Sequence, residues 1–197
     1  MVKLNIDSIP EELKKNRKWV GFKIGEQGKK PIDPKSIGGF ITYASISDPS
    51  TWGTFEEAVK LVEAGLCDGI GYAMTKDDHL IFIDVDLHLD KLTSEDEKQK
   101  TGKLFNVLCR DIKRFQTYME TSISGTGVHL LARGTLDETL KTGASPIAPV
   151  EIYDSNRFII MTGNRIEDYD ISDDEHTIQG IHAFHKQFFQ KKSPSSE

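Results

Sequence analysis

Residues 80–88, LIFIDVDLH, decide the fold of this chain. The run is rich in β-branched and aromatic residues, and the side chains of a β-strand alternate between its two faces. One face is therefore apolar throughout, with Ile81, Ile83, Val85 and Leu87, and the other carries Phe82, Asp84, Asp86 and His88. The pattern predicts a strand that is buried on one face and acidic at the end of the other.

Asp84 and Asp86 would place their backbone anchors roughly 6.6 Å apart on that face. At an effective dielectric constant of about 20, two carboxylates at this distance repel each other by roughly 2.5 kcal/mol. Bound Mg²⁺ or Mn²⁺ would relieve the repulsion, because hard cations prefer oxygen ligands and keep water positions that substrate phosphates can fill. The alternative is a solvated strand end whose acids discourage edge-to-edge pairing. For His88, a solvent-facing or ligand-supporting position is favoured over direct coordination, for the same reason of oxygen preference.

A glycine-rich turn follows at residues 122–129, SISGTGVH. Gly125 and Gly127 let backbone N–H groups approach an anion closely, the Ser124 hydroxyl adds a donor, and His129 can donate to a phosphate oxygen. The turn lacks the Gly-Lys-Ser/Thr of a P-loop, and a strand rather than a dinucleotide-binding helix comes next. It predicts a triphosphate cradle, with a hairpin turn and a structural His129 as the alternative.

A third acid stands among apolar neighbours at residues 150–153, VEIY. An unpaired Glu151 buried in such a strand would be costly, so a metal or a basic partner is expected. An ion pair with Arg157 or a lysine would satisfy it equally well. Arg157 and Phe158 open the next strand.

The order of predicted strands and helices along the chain indicates an α+β domain with a mixed, largely antiparallel sheet and packed helices. Most loops between strands are too short for a crossover helix. Capping boxes at Thr54–Glu57 and Ser94–Glu97 open two helices, and a last helix is predicted at 175–189. Residues 25–35, with Lys29 and Lys30, are predicted as a loop. Residues 75–79 are predicted to join strands 69–74 and 80–87 as a hairpin.

The chain has 197 residues, 37% of them hydrophobic and 28% charged, as in soluble globular proteins. We expect one catalytic domain over residues 1–188 and a disordered tail over 189–197. No run approaches the roughly 20 apolar residues of a membrane span, and the first residues contain no apolar signal region, so we expect a cytoplasmic protein that binds no membrane.

The net charge and the two cysteines argue against a strongly basic nucleic-acid-binding protein and against a disulfide-rich or zinc-binding protein. The net charge of −6 argues against a bulk positive field for nucleic acid, which leaves the local basic segments 14–18, 23–35 and 98–114. Cys67 and Cys109 form no C-x-x-C pair, so they indicate neither a disulfide framework nor a cysteine-rich zinc site. We expect both to be reduced and buried.

Three motifs in this order resemble the bifunctional primase/polymerase domain of the archaeo-eukaryotic primase superfamily, found in phage and plasmid replication proteins. They are the hhhDhD motif at residues 82–86, the S-G-x-G-x-H motif at 124–129, and the acidic motif at 150–153 with its R-F-x-x-x-T-G continuation. The strand at Trp19 and the segment 28–31, GKKP, also resemble the entry of that domain. The resemblance covers about residues 5–185.

The resemblance implies a primase-like catalytic core that contains an RRM-like module. It implies template-directed joining of nucleoside triphosphates, dNTP or NTP, on single-stranded DNA, in the replication of a phage or mobile element. Two divalent ions, Mg²⁺ or Mn²⁺, would be held by Asp84, Asp86 and Glu151. The incoming triphosphate would be bound by Ser124, Gly125, Gly127 and His129, with Lys30 and Arg157 as further phosphate contacts.

The same resemblance leaves three points open. Phe158 lies under the nucleotide sugar or is a core aromatic. A helicase or helical primase module is expected as a partner, in the same chain or in another. A phosphohydrolase of the haloacid dehalogenase type, which has a strand-end DxD in a parallel sheet, and a catalytically silent nucleic-acid-binding module are the alternative functions.

Overall fold

The computed structural model describes residues 3–26, 28–36, 40–87 and 93–189. Its architecture is α+β with largely antiparallel sheets, as predicted. The strands are β1 Trp19–Gly25, β2 Gly28–Ile32, β3 Gly69–Met74, β4 Leu80–Asp86, β5 Tyr118–Thr121, β6 Gly127–Arg133, β7 Gly143–Ala144, β8 Val150–Tyr153 and β9 Arg157–Met161. The helices are α1 Glu11–Lys14, α2 Phe55–Glu63, α3 Glu95–Lys113 and α4 Glu175–Phe189.

The chain divides into two compact units. The first takes the described residues of Met1–Asp78, Glu120–Gly125 and Ser155–Arg165. The second takes those of His79–Met119, Thr126–Asp154 and Ile166–Glu197.

The first unit contains a four-stranded antiparallel sheet in the order β2-β1-β3-β9. One face buries Ile32 with Leu61 of α2 and Cys67. A side chain at Gly21 would collide with Cys67 and Leu61, so the close approach of α2 to β1 requires glycine there. The other face buries Val20, Ala44, Trp52 and Ala73.

The prediction of a loop at residues 25–35 was wrong for β2, which pairs with β1 along its whole length. Gly28 has a φ of 100°, a value that only glycine adopts readily, and this allows the chain to reverse tightly between Gly25 and Gly28. Pro31 is tolerated because β2 ends the order of this sheet, where a missing N–H is not needed by a neighbouring strand. The glycines and prolines thus shape a hairpin and do not end the strand.

The predicted hairpin between strands 69–74 and 80–87 was also wrong, because β3 and β4 belong to different sheets. Residues 76–78 form a 3₁₀ turn. The Asp78 carboxylate accepts hydrogen bonds from the Thr75 backbone N–H at 2.7 Å, from the Tyr72 hydroxyl at 2.8 Å and from Lys18 Nζ at 2.8 Å. This network ties the end of β3 to the start of β1.

The second unit contains β6, β4, β8, β7 and the first two residues of β5, in a five-stranded sheet of the order β5-β6-β4-β8-β7. In this sheet β4 pairs antiparallel with both β6 and β8. One face of the sheet forms the core against α3 and α4. The core includes Ile81, Ile83, Val85, Leu108, Ile112, Val128, Leu130, Ile152, Ile181 and Phe184. The apolar face predicted for strand 80–87 is therefore the buried face of β4.

The helix ends follow their predicted signals. Thr54 and Glu57 form a complete capping box at α2, and Ser94 and Glu97 form one at α3. Helix α4 runs to Phe189, and residues 190–197 of the predicted tail lie outside the described residues. None of the helices in the described part of the chain is both long and apolar enough to cross a membrane.

The cysteines are free thiols. Cys67 is buried and Cys109 is half-buried, and burial raises the pKa of each to about 11. Both thiols are therefore protonated at neutral pH.

Substitution of Asp78 tests the network that ties β3 to β1. Burial raises the pKa of Asp78, but the hydrogen bonds from Lys18, Thr75 and Tyr72 outweigh burial and lower it. A lowered folded-state pKa adds stability above the unfolded-state pKa, and this stability is lost as pH falls through the folded-state value. Asp78→Ala should therefore lower the free energy of unfolding at pH 7 by roughly 1.5 to 3 kcal/mol, measured by urea denaturation, and by less below about pH 4.

Asp77→Ala is the matched control, because Asp77 is the exposed neighbour in the same turn. It should change the unfolding free energy by less than about 0.5 kcal/mol. Equal effects of the two substitutions at pH 7 would contradict the stabilising role of Asp78.

Candidate active site

A row of three polar side chains crosses the sheet of the second unit. The strand register places Asp84 of β4 directly opposite His129 of β6 and directly opposite Glu151 of β8. Directly opposed residues in antiparallel strands point to the same face. Asp86 lies two residues further along that face and opposite Gly127.

His129 is held firmly in this row. Only 4% of the residue is exposed, and its ring makes an edge contact with Phe82, with ring centroids 5.2 Å apart. Its Nε2 lies 3.8 Å from Oδ1 of Asp84. The packing fixes the imidazole beside the first carboxylate of the row.

The other two carboxylates also have polar neighbours. Glu151 accepts a hydrogen bond of 2.8 Å from the Tyr153 hydroxyl, and Asp86 accepts one of 3.3 Å from the Thr126 hydroxyl. Tyr153 lies two residues after Glu151 on one strand, so both share a face. Tyr153 therefore orients Glu151.

The acids line a cleft with a volume of about 220 Å³ in the second unit. Its wall consists of Asp84, Asp86 and Glu151, together with Ala144, Ser145, Ala148, Pro149 and Val150. The three carboxylates are half-buried, so the cleft offers them both to solvent and to a ligand.

The donor set suits a hard divalent cation, because it consists of carboxylate oxygens on one face of one sheet. Within the described residues, however, no group of three His, Cys, Asp or Glu side chains is placed closely enough to hold a metal ion. The described neighbours include His129 Nε2 at 3.8 Å from Asp84 Oδ1, the Thr126 hydroxyl, which donates to Asp86, and the Tyr153 hydroxyl, which donates to Glu151. The backbone positions and the donor chemistry fit a metal site, and the side chains would have to exchange these partners to form it.

The glycine-rich turn joins the two units along the chain. Ser124 and Gly125 belong to the first unit, and Gly127 and His129 to the second. Gly125 has a φ of 82° and donates its backbone N–H to the Ser122 carbonyl, while the hydroxyls of Ser122 and Ser124 lie 2.9 Å apart. The turn therefore has the conformation that its glycine predicts.

Three other predicted site residues lie in the first unit. Lys30 is on β2, and Arg157 and Phe158 open β9. Phe158 is half-buried against the cluster that contains Val20 and Ala73. His88 lies outside the described residues.

The end of the R-F-x-x-x-T-G motif has a structural partner that the sequence analysis missed. Glu120 is fully buried, and its carboxylate accepts the backbone N–H of Thr162 at 2.9 Å and that of Gly163 at 2.8 Å. A buried carboxylate satisfied by backbone donors fixes the turn after β9. Nothing local in the sequence around Glu120 indicates this contact, which joins segments about 40 residues apart.

Tyr153 and Thr126 were also missed as neighbours of the acids. The period of two along residues 150–153 could have identified Tyr153. The pairing of Thr126 with Asp86 depends on the register between β4 and β6, which no local pattern determines.

The haloacid dehalogenase alternative requires a parallel sheet around the acidic strand. Because β4 pairs antiparallel with both of its neighbours, the structure argues against it. A primase-like α+β core agrees with the observed architecture.

The chain was also compared with known proteins. It is 32% identical over 178 residues to a protein named DNA primase-polymerase from Nitratiruptor phage NrS-1. The alignment covers 88% of this chain and 23% of that phage protein, so the chain spans less than a quarter of the relative's length. No family model matches the chain. The chain is therefore homologous to a segment of a phage protein named DNA primase-polymerase, which agrees with the resemblance that its three motifs carry.

Proposed function

We propose that this chain is a DNA primase/polymerase, which joins nucleoside triphosphates on a single-stranded DNA template during replication of a phage or mobile element. The observation that carries the proposal is the set of Asp84, Asp86, Glu151 and His129 on one face of the second unit's sheet. The homology to a protein named DNA primase-polymerase supports the same reaction class.

Asp84, Asp86 and Glu151 would hold two Mg²⁺ or Mn²⁺ ions. Such ions, when bound, activate the attacking 3′ oxygen and neutralise the charge of the departing pyrophosphate. The chain's own contribution is to fix the three carboxylates. Because the opposite face of β4 is buried in the apolar core, the strand that carries two of them is rigid.

His129 would donate a hydrogen bond to an oxygen of the incoming triphosphate. Its burial and its contact with Phe82 restrict the ring to one orientation, so little conformational freedom is lost on binding. Ser124, Gly125 and Gly127 would add donors from the turn that precedes it.

Arg157 would contact a phosphate and Phe158 the nucleotide sugar. These two assignments rest on the motif alone. A helicase or helical primase module, in the same chain or in another, would be its partner in replication.

Neutralising any one acid tests the proposed metal site. Asp84→Asn, Asp86→Asn and Glu151→Gln should each nearly abolish incorporation of dNTP or NTP on a primed single-stranded template with Mn²⁺. Each variant should remain folded, with an unchanged or slightly higher melting temperature, because removing one of several clustered negative charges relieves repulsion.

Glu138→Gln is the charge-matched control, since Glu138 is an exposed acid of the same unit. It should retain incorporation. Full activity in any of the three site variants would remove that residue from the metal site. A phosphatase assay on the same samples tests the hydrolase alternative.

Replacing His129 separates a phosphate ligand from a structural residue. His129→Gln keeps a hydrogen-bond donor of similar reach, whereas His129→Ala removes it. Loss of a charge-assisted hydrogen bond should lower kcat/KM for the nucleotide by about 10- to 150-fold in His129→Ala, with Mn²⁺ affinity nearly unchanged. If the nucleotide Kd stays at the wild-type value while the melting temperature falls, His129 is structural.

Tyr153→Phe tests whether Tyr153 positions Glu151. The substitution removes only the hydroxyl that donates to the Glu151 carboxylate. Groups that orient metal ligands typically contribute about 10- to 100-fold to metal affinity. Mn²⁺ titration should therefore show weaker binding, and saturating Mn²⁺ should restore kcat; a low kcat at saturating Mn²⁺ would contradict this positioning role.

A further inference from the structure

A basic and aromatic surface lies on the β1–β2 hairpin and the segment beside it, all within the first unit. We call it the hairpin surface and define it by Lys23, Lys30, Phe40, Ile41 and Tyr43; Lys29 alternates to the opposite face of the hairpin. The segment that carries the aromatics runs beside β2, since the Ala44 N–H donates to the Pro31 carbonyl and the Asp33 N–H donates to the Thr42 carbonyl. The hairpin surface is therefore continuous through backbone hydrogen bonds.

The aromatic side chains of this surface are unusually exposed. Phe40 is 96% exposed and Tyr43 is 61% exposed, and Ile41 beside them is 43% exposed. Large apolar side chains placed together in water are costly, and such patches often mark interaction sites. Packing of the described residues gives no reason for these two rings to face solvent.

The lysines of the hairpin surface are placed next to each other. Lys23 and Lys30 are directly opposed in the β1–β2 ladder, a pairing of like charges that destabilises a sheet. The Lys30 ammonium lies 5.7 Å from the centre of the Tyr43 ring. Positive charge and an exposed aromatic face therefore occur at one place.

Most lysines of the other two basic segments have a carboxylate partner. In segment 14–18, Lys14 pairs with Glu11 and Lys18 with Asp78. In segment 98–114, Lys98 pairs with Glu95, Lys100 with Asp96 and Lys113 with Glu167.

Among the residues that the structure describes, Lys23 and Lys30 form no ion pair, and neither do Lys15 and Lys103 of the other two basic segments. The hairpin surface differs because its two lysines lie directly opposite each other and beside an exposed aromatic ring.

We infer that the hairpin surface binds single-stranded DNA, with Tyr43 and Phe40 stacking on bases and the lysines contacting backbone phosphates. Exposed rings beside lysines are the combination that sequence-tolerant single-strand binding uses, because every base presents a face for stacking. The choice of DNA rests on the proposed function; the choice of a single-stranded polyanion rests on the exposed rings and the lysines. The sequence analysis predicted Lys30 as a triphosphate contact. Its place on this surface instead assigns it to a phosphate of the DNA backbone.

The inference is tested by fluorescence anisotropy with a labelled oligothymidylate and the full chain, at low salt and without nucleotide or metal. Tyr43→Ala and Phe40→Ala should each weaken binding by about 5- to 150-fold, the range for loss of one stacked base. Lys23→Ala should reduce the slope of log Kd against log salt concentration by about 0.7, the contribution of one phosphate contact on a single strand.

Two matched controls separate this surface from general effects. Tyr43→Phe keeps the ring and should bind like the wild type, and Lys100→Ala removes the same charge from an exposed helix position. Melting temperatures should stay close to the wild-type value because the substituted side chains are exposed, and that of Lys23→Ala should be slightly higher because it removes one of two directly opposed lysines. Wild-type affinity in both Tyr43→Ala and Phe40→Ala, or equal loss in Lys100→Ala and Lys23→Ala, would overturn the inference.

The test remains informative if the proposed function fails. If the wild-type chain incorporates no nucleotide but the hairpin variants still lose DNA binding, only the proposed function is wrong. If incorporation depends on Asp84 while the hairpin variants bind normally, only the assignment of the hairpin surface is wrong.

Discussion

The candidate site depends on the register with which β4 pairs with β6 on one side and with β8 on the other. Because side chains alternate along a strand, a slip of one residue in either pairing would turn His129 or Glu151 to the opposite face. The apolar residues of β6 and β8 prevent such a slip, since Leu130 or Ile152 would then leave the core. The same alternation that buries one face of the sheet therefore assembles the acids on the other.

This arrangement puts repulsive charge where the fold can tolerate it. Asp84, Asp86 and Glu151 lie within two residue positions of each other on the sheet, which costs stability in the absence of a cation. The core beneath β4 and the hydrogen bonds from Tyr153 and Thr126 offset part of that cost. The proposed site for metal ions and triphosphates requires a rigid strand, because its carboxylates must be in place before the substrate arrives.

The first unit handles charge in a different way. Lys14 and Lys18 of this unit form ion pairs with Glu11 and Asp78, and the pair of Lys18 with Asp78 stabilises the fold. Lys23 and Lys30 of the hairpin surface form no ion pair with a described residue, and Lys30 lies beside the exposed ring of Tyr43. An acidic protein can in this way attract a polyanion at one place and repel it elsewhere. Such a charge distribution favours binding at one defined site over non-specific binding. Glu120 serves the same unit as a buried anchor whose charge is satisfied by backbone donors.

The local features could be predicted from the sequence alone: the capping boxes of α2 and α3, the alternation along residues 80–86 and the three motifs. Each depends on residues within a few positions of each other, so periodicity and capping chemistry are sufficient to identify it. Only the tertiary structure decided that residues 28–32 form a strand, that β3 and β4 belong to different sheets, that Glu120 binds the turn after β9, and that Asp84 stands between His129 and Glu151. These features arise from contacts between segments far apart in the chain. Which strands pair there depends on burying the apolar face of each sheet, and the few residues at one contact do not determine it.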